Sequence, residues 1–240
     1  MESGTELNFN LKFSKTMNKK SFYFVTLFAV IGLIALQIPI FKMHGAKAAF
    51  TLYDFLSPIS GSFIGTIPGM LAVFSVQILN VMLFKSGVWD TASIVRLFPV
   101  LFGVWYFSKK DSRVGIIVPL LAMLVFNLHP QGRAAWMYSL YNLIPIVCYA
   151  LRDRFLFARS LGATFTQHGV GGALWVWTFN MPAAVWISLI PQVAMERLAM
   201  AIGIMIAYRV FVNVLYALEK RKILSLPFSL EQRFIFTILK

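Results

Sequence analysis

Charge is scarce in this 240-residue chain. Asp, Glu, Lys and Arg make up 13% of it, whereas a soluble globular domain carries about a quarter. That shortage leaves too little polar surface to face water and excludes an ordinary soluble enzyme. Cysteine is scarcer still, and the single Cys148 excludes a disulfide scaffold. Acidic residues number 9 against 22 basic ones. The basic residues lie between apolar runs rather than on one face or tail, which speaks against nucleic acid as a partner. The sequence also lacks a Gly-x-x-x-x-Gly-Lys-Ser/Thr phosphate loop and a Gly-x-Ser-x-Gly elbow. Its three histidines stand far apart at 44, 129 and 168. No metal, cofactor or catalytic set is expected, and the chain reads as a non-enzyme.

Apolar residues, by contrast, reach 59% and the mean hydropathy is +0.74. A helix crossing lipid needs roughly 17–25 mostly apolar residues, because its backbone must satisfy its own hydrogen bonds there. Apolar runs cover about 21–41, 58–84, 92–108, 114–128, 134–151, 160–180 and 184–218. The last outlasts a bilayer, so its end from Arg209 is expected to project into water. Ser57-Pro58 reads as a helix start, with proline where a missing N–H costs nothing. His129-Pro130-Gln131-Gly132 reads as a turn, and Asn180-Met181-Pro182 as a tight hairpin. The pattern predicts an all-α polytopic membrane protein, a six-helix transmembrane core plus an extra N-terminal hydrophobic helix. Residues 1–20 form a basic tail, 21–57 the extra helix and a possible re-entrant arm, 58–218 the core, and 219–240 a basic C-terminal tail. In that tail Leu226, Phe228, Leu230, Phe234, Phe236 and Leu239 either lie on the inner membrane surface or dock a cytoplasmic partner.

Orientation follows from the basic residues. Lys109, Lys110 and Arg113 form one cluster, Arg152, Arg154 and Arg159 a second, and Lys220, Arg221 and Lys222 a third. The intervening connections carry Lys85 alone, Arg133 alone, and nothing at 179–183. Three rich loops alternating with three poor ones place 109–113, 152–159 and the C-terminus in the cytoplasm. This predicts a multi-pass protein of the cell membrane. A parity conflict remains near the start, where Lys12, Lys15, Lys19 and Lys20 also call for the inside. Either residues 42–57 re-enter as a short arm, or helix 21–41 lies along the membrane, or the N-terminus is outside. A break at Thr66-Ile67-Pro68-Gly69 into two short arms is a further route. Ala46-Lys47-Ala48 raises a signal peptide, against which stand the length of the first apolar run and Lys42 and Lys47.

Several local patterns belong together. They are Val95-Arg96-Leu97-Phe98-Pro99 followed by Lys109-Lys110 and the run from Gly115; Tyr138-Ser139-Leu140-Tyr141-Asn142-Leu143-Ile144-Pro145 running to Arg152; and Ala163-Thr164-Phe165 through Gly171-Gly172 to Trp175, with the long 184–218 run behind it. With these helix lengths the chain resembles the substrate-binding S component of energy-coupling-factor (ECF) transporters. The resemblance implies capture of a vitamin or similar small molecule at the outer face. It further implies a coupling transmembrane subunit and two ATP-binding-cassette ATPases as partners, with the lipid bilayer around them. Without the resemblance, a stand-alone secondary transporter or channel and an intramembrane enzyme using His168 and Glu196 remain open.

Three sets of residues are candidates for function. Gly61, Gly65 and Gly69, spaced by four, form a smooth helix stripe suited either to packing within the bundle or to docking the coupling subunit. His168 and the adjacent Glu196 and Arg197 fall at equal depth on the last two helices. A buried polar pair there either fixes register or takes part in ligand or proton coupling. Trp136, Trp175, Trp177 and Trp186 gather toward the outer boundary, together with Asn127, His129, Tyr138, Tyr141, Asn142, Asn180 and Gln192. Flat rings with a few amides suit a planar heterocyclic ligand, and the bland alternative is an interfacial aromatic belt. Asp54 shows no partner in the sequence.

Overall fold

A backbone in an apolar setting must bond to itself, and this chain answers with helices along most of its length. The computed structural model describes residues 19–42, 49–84, 87–109, 111–226 and 228–237. Lys12, Lys15, His44, the Ala46-Lys47-Ala48 site, Lys85, Lys110 and Leu239 lie outside the described residues. Helix α1 (Lys19–Leu36) leads through an antiparallel hairpin, β1 (Pro39–Lys42) and β2 (Ala49–Thr51), into α2 (Leu52–Leu56). A 3-10 turn (Ser57–Ile59) and α3 (Gly61–Ile64) follow. Then come α4 (Thr66–Phe84), α5 (Thr91–Arg96), α6 (Pro99–Ser108) and α7 (Val114–Leu128). Short α8 (Pro130–Ala134) and α9 (Trp136–Ser139) lead into α10 (Leu143–Leu151). Helices α11 (Leu156–Phe179), α12 (Ala183–Ser188) and α13 (Ile190–Lys220) precede a tail that contains a 3-10 turn, Gln232–Phe234.

Among the described residues, three helices are long and apolar enough to cross a membrane: Thr66–Phe84, Thr91–Ser108 and Ile190–Lys220. Val25–Leu36, Val114–Leu128 and Trp136–Leu151 are apolar but shorter. Outward faces carry Leu71 and Leu83 on α4, Leu121 and Leu124 on α7, and Ile202 and Ile206 on α13, all exposed. Apolar surface on this scale suits lipid rather than water. The protein is a predominantly helical, membrane-associated chain.

Helix α11 is not among the three, although its sequence is expected to cross. Its Arg159, Thr164, Thr166, Gln167 and His168 dilute its hydropathy, and α6, α7, α10 and α13 pack around it. A helix shielded by neighbours has no need of a lipid-like surface. Small residues let those neighbours close in. A side chain at Gly162 would strike the Tyr106 ring, and one at Gly103 would press on Gln167. The order of contacts gives the directions. Phe107 meets Arg159 and Gly103 meets Ala163, so α6 runs against α11. Thr164 faces Arg197 and Arg159 faces Tyr208, so α13 also runs against α11.

The segment before α4 departs from expectation. Ser57 does not cap a helix at Pro58. The chain is already helical from Leu52, where Asp54 accepts the N–H (2.7 Å) and hydroxyl (3.0 Å) of Thr51. Asp54 therefore has its partner one turn back. The segment 49–64 descends beside α13. Phe50 lies at Arg197, Phe55 on Gly203, and Phe63 against Tyr208. At Gly65 (φ 92°, ψ 151°) the backbone takes a conformation reserved for glycine, and the chain reverses into α4. Residues 58–84 are thus two helices of unequal length. Their break is one residue before the expected Thr66-Ile67-Pro68-Gly69. Alongside α4, α1 runs parallel, with Gly32 near Val76 and Gln37 bonded to Asn80 at 2.9 Å.

One end of the bundle is closed by arginines and by the C-terminal tail. Arg152 donates to the carbonyls of Tyr106 (2.5 Å) and Lys109 (2.9 Å), and Arg159 donates to that of Phe107 (2.6 Å). The last carbonyls of a helix have no partner within it, and here two guanidinium groups serve those of α6. Both arginines are buried to 1% exposure, so two of the residues counted as loop charges are internal caps. The tail is not a surface helix. Leu230 and Phe234 are buried, and Asn213 on α13 holds the Phe234 carbonyl (2.9 Å) and the Phe236 N–H (2.7 Å). Val212 and Leu215 are buried beneath it, so the end of α13 is covered by the chain's own tail. An apolar tail with a bundle of its own to cover finds more surface there than at an interface.

Candidate functional site

The end of the bundle opposite the arginines gathers aromatic and polar side chains from several elements, α7, α9, α11, α12 and α13 among them. Tyr138 on α9 sits at its centre, 5% exposed. Its ring stacks on Phe126 (5.5 Å between centroids) and meets the edge of Trp186 (4.9 Å). Its hydroxyl pairs with Nε2 of His168 at 2.8 Å. Tyr141 stacks on Phe165 at 5.3 Å and donates to the Ile190 carbonyl at 2.5 Å. Helix α11 supplies Thr164, Phe165 and His168, spaced so that Thr164 and His168 share a face one turn apart. Asn142 lies below, with Nδ2 on the Ser139 carbonyl (3.0 Å) and Oδ1 against Gly169.

Helix α13 brings in the charges. Arg197 is 6% exposed. Its Nη1 lies 3.4 Å from the Thr164 hydroxyl, its Nη2 3.8 Å from Glu196, and its guanidinium 5.0 Å from the centre of the Phe50 ring. Glu196 accepts a hydrogen bond from Gln192 at 2.9 Å, one turn earlier. The expected contact between His168 and Glu196 does not form, because neighbouring residues on a helix diverge by about 100°. Arg197, not Glu196, turns toward α11, while His168 turns toward Tyr138. An enzyme using His168 and Glu196 as a pair loses its geometry. The three residues still belong to one cluster, joined through Arg197 and Thr164.

The expected ligand box divides. Tyr138, Tyr141, Trp186 and Asn142 are buried or half-buried together, and Gln192 joins through Glu196. Trp136 and Trp177 are each 55% exposed at the rim, where Trp177 donates to the Val125 carbonyl at 2.9 Å. Trp175 packs on Phe179 (4.6 Å) beneath Arg96 (5.5 Å). Two residues apart on one helix, Trp175 and Trp177 point away from each other, which is why they cannot line one chamber. His129 caps α8 through Gln131 and meets Trp177 edge-on, and Asn127 bonds Ser139 at 2.8 Å. Asn180 takes the left-handed turn after α11 (φ 47°) and is exposed.

The expected glycine stripe does not form. Because the chain reverses at Gly65, Gly61 and Gly69 do not share a helix face. They face each other across the reversal, and a Cβ on Gly69 would stand 2.6 Å from the Gly61 backbone. Gly61 also abuts Ser108. Gly61 and Gly69 pack inside the bundle and Gly65 is the exposed turn between them, so the three form no continuous helix stripe.

No protein-family model matches the chain, and no solved structure matches it. The chain is similar to an uncharacterized protein of Methanocaldococcus jannaschii, with 26% identity over 205 residues covering 75% of this chain and 67% of the relative.

Sequence reasoning does not single out Phe50, Asp54 or Thr164 as members of this cluster. Asp54 and Arg197 are near enough to feel each other's charge. Thr164 carries no signal beyond being polar in an apolar run. Phe50 lies in the stretch whose path the sequence leaves open.

Proposed function

We propose that the protein is the substrate-capture subunit of an ECF-type uptake transporter. It binds a vitamin or similar small molecule and works with a coupling subunit and ATP-binding-cassette ATPases. The observation that carries this reading is the cluster around Tyr138, His168 and Arg197. It is drawn from the arm, α9, α11 and α13, and lies near the end of the bundle opposite the arginine caps. Polar and ionisable groups in a membrane interior are costly and mark substrate paths.

In this proposal the six helices after Gly65 (α4, α5 with α6, α7, α8 to α10, α11, and α13) each cross the cell membrane. The arm 49–64 returns the chain after α1, so both ends of the described chain lie inside. That resolves the parity conflict with the lysines in the cytoplasm. The arginine-capped end then faces the cytoplasm and the aromatic end faces outward. Uptake of cargo into cells or proteoliposomes is expected to require ATP, and ATPase subunits are expected to co-purify. Uptake driven by an ion gradient without ATPases would instead identify a stand-alone carrier.

A further inference from the structure

We infer that Arg197 is the anchor for a carboxylate on a small aromatic ligand, a substrate class that rests on the capture reading above. A guanidinium has five N–H donors in a planar fork and matches a carboxylate two bonds at a time. Buried groups of this kind normally have their donors occupied. Arg197 does not. Its Nε has no hydrogen-bond partner, and Nη1 reaches Thr164 only at 3.4 Å.

Neither neighbouring carboxylate fills the gap, and Asp54 is taken up by the N–H and hydroxyl of Thr51. Glu196 Oε2 stands 3.8 Å from Nη2, beyond hydrogen-bond length, while Gln192 holds its other oxygen at 2.9 Å. The Nε and Nη2 edge, the one that pairs with a carboxylate fork, is therefore left without close bonds at 6% exposure. Aromatic surface is at hand for the rest of such a ligand. Phe50 lies over the guanidinium at 5.0 Å, and Tyr138 and Tyr141 stand beside His168 on the next helix.

The test uses the full chain in lipid nanodiscs, with benzoate and its neutral isostere benzamide as probes, followed by tryptophan fluorescence. Trp186, in edge contact with Tyr138, is the reporter. Benzoate is expected to give a saturable change and benzamide none. Arg197→Gln should weaken benzoate about 10–100-fold, the range for a charge-assisted bidentate contact. Glu196→Gln, which removes the adjacent competing charge and leaves Asp54 on Thr51, should leave benzoate binding intact or tighten it. Equal binding of benzoate and benzamide, or of benzoate to wild type and to a folded Arg197→Gln protein, overturns the inference. So does the absence of benzoate binding to wild type. If Arg197→Gln does not fold, loss of benzoate binding in Glu196→Gln identifies Glu196 as the recognition group and overturns it as well. ATP-coupled uptake of a neutral cargo would refute the carboxylate anchor and leave the transporter reading standing. Benzoate binding without ATP-coupled uptake would do the reverse.

Discussion

At the scale of single residues, Arg159 makes contacts that only a guanidinium makes together. Its Nε serves the end of α6, Nη1 reaches Glu231 on the tail at 2.8 Å, and Nη2 reaches Ser62 on α3 at 2.9 Å. Its face lies 4.2 Å from the Phe107 ring centre. Arg159→Ala is expected to cost about 3 kcal/mol, because a buried pair loses one member and helix carbonyls lose their cap. Arg159→Lys should recover only part of this, since an ammonium lacks the fork. Thermal unfolding in detergent checks both. Tyr138→Phe is a milder change. It keeps the stacked ring and removes one hydrogen bond to His168, a loss of about 1 kcal/mol. At this scale the sequence is a fair guide to which residues are buried and a poor guide to which touch. Tyr138, Trp186 and Arg197 are legible as unusual for their surroundings. That His168 chooses Tyr138 over Glu196 depends on helix rotation, which residue spacing alone does not set.

At the scale of elements, the reversal at Gly65 decides how the first third of the chain packs. Its φ of 92° with ψ of 151° lies in a region essentially closed to side chains. Gly65→Ala is expected to cost about 1–3 kcal/mol in stability through backbone strain alone. Gly69→Val should do more, because the backbone of Gly61 is in the way. Chemical denaturation of the two variants separates strain from collision, since Gly65→Ala should leave near-ultraviolet circular dichroism unchanged. The helix-forming runs are readable from hydropathy because a backbone in an apolar setting must bond to itself over a sustained apolar stretch. The arm is not readable. A segment buried among α1, α4 and α13 is under no such demand, and its 3-10 turn and short helices follow the shapes of its neighbours. The tail misleads for a related reason. Alternating apolar residues fit a membrane surface and a protein groove equally well.

At the scale of the whole molecule, the orientation can be tested directly. Cys148 is the one cysteine and is buried, so a Cys148→Ser background accepts new probes. Arg154→Cys is expected to resist a membrane-impermeant maleimide on intact cells and to react after permeabilisation. Asn180→Cys, at the other end, should react at once. Labelling of Arg154→Cys on intact cells would invert the site. The placement of the arm also bears on biogenesis. Its packing surface on α13 lies far along the chain, at Arg197, Gly203 and Tyr208. During synthesis α1 and α4 are at hand early, but the ribosome must make almost everything else before the arm meets α13. Until then its turn and polar caps await a shelter that a nascent chain cannot offer, and any product truncated ahead of residue 190 would become a target for membrane proteases.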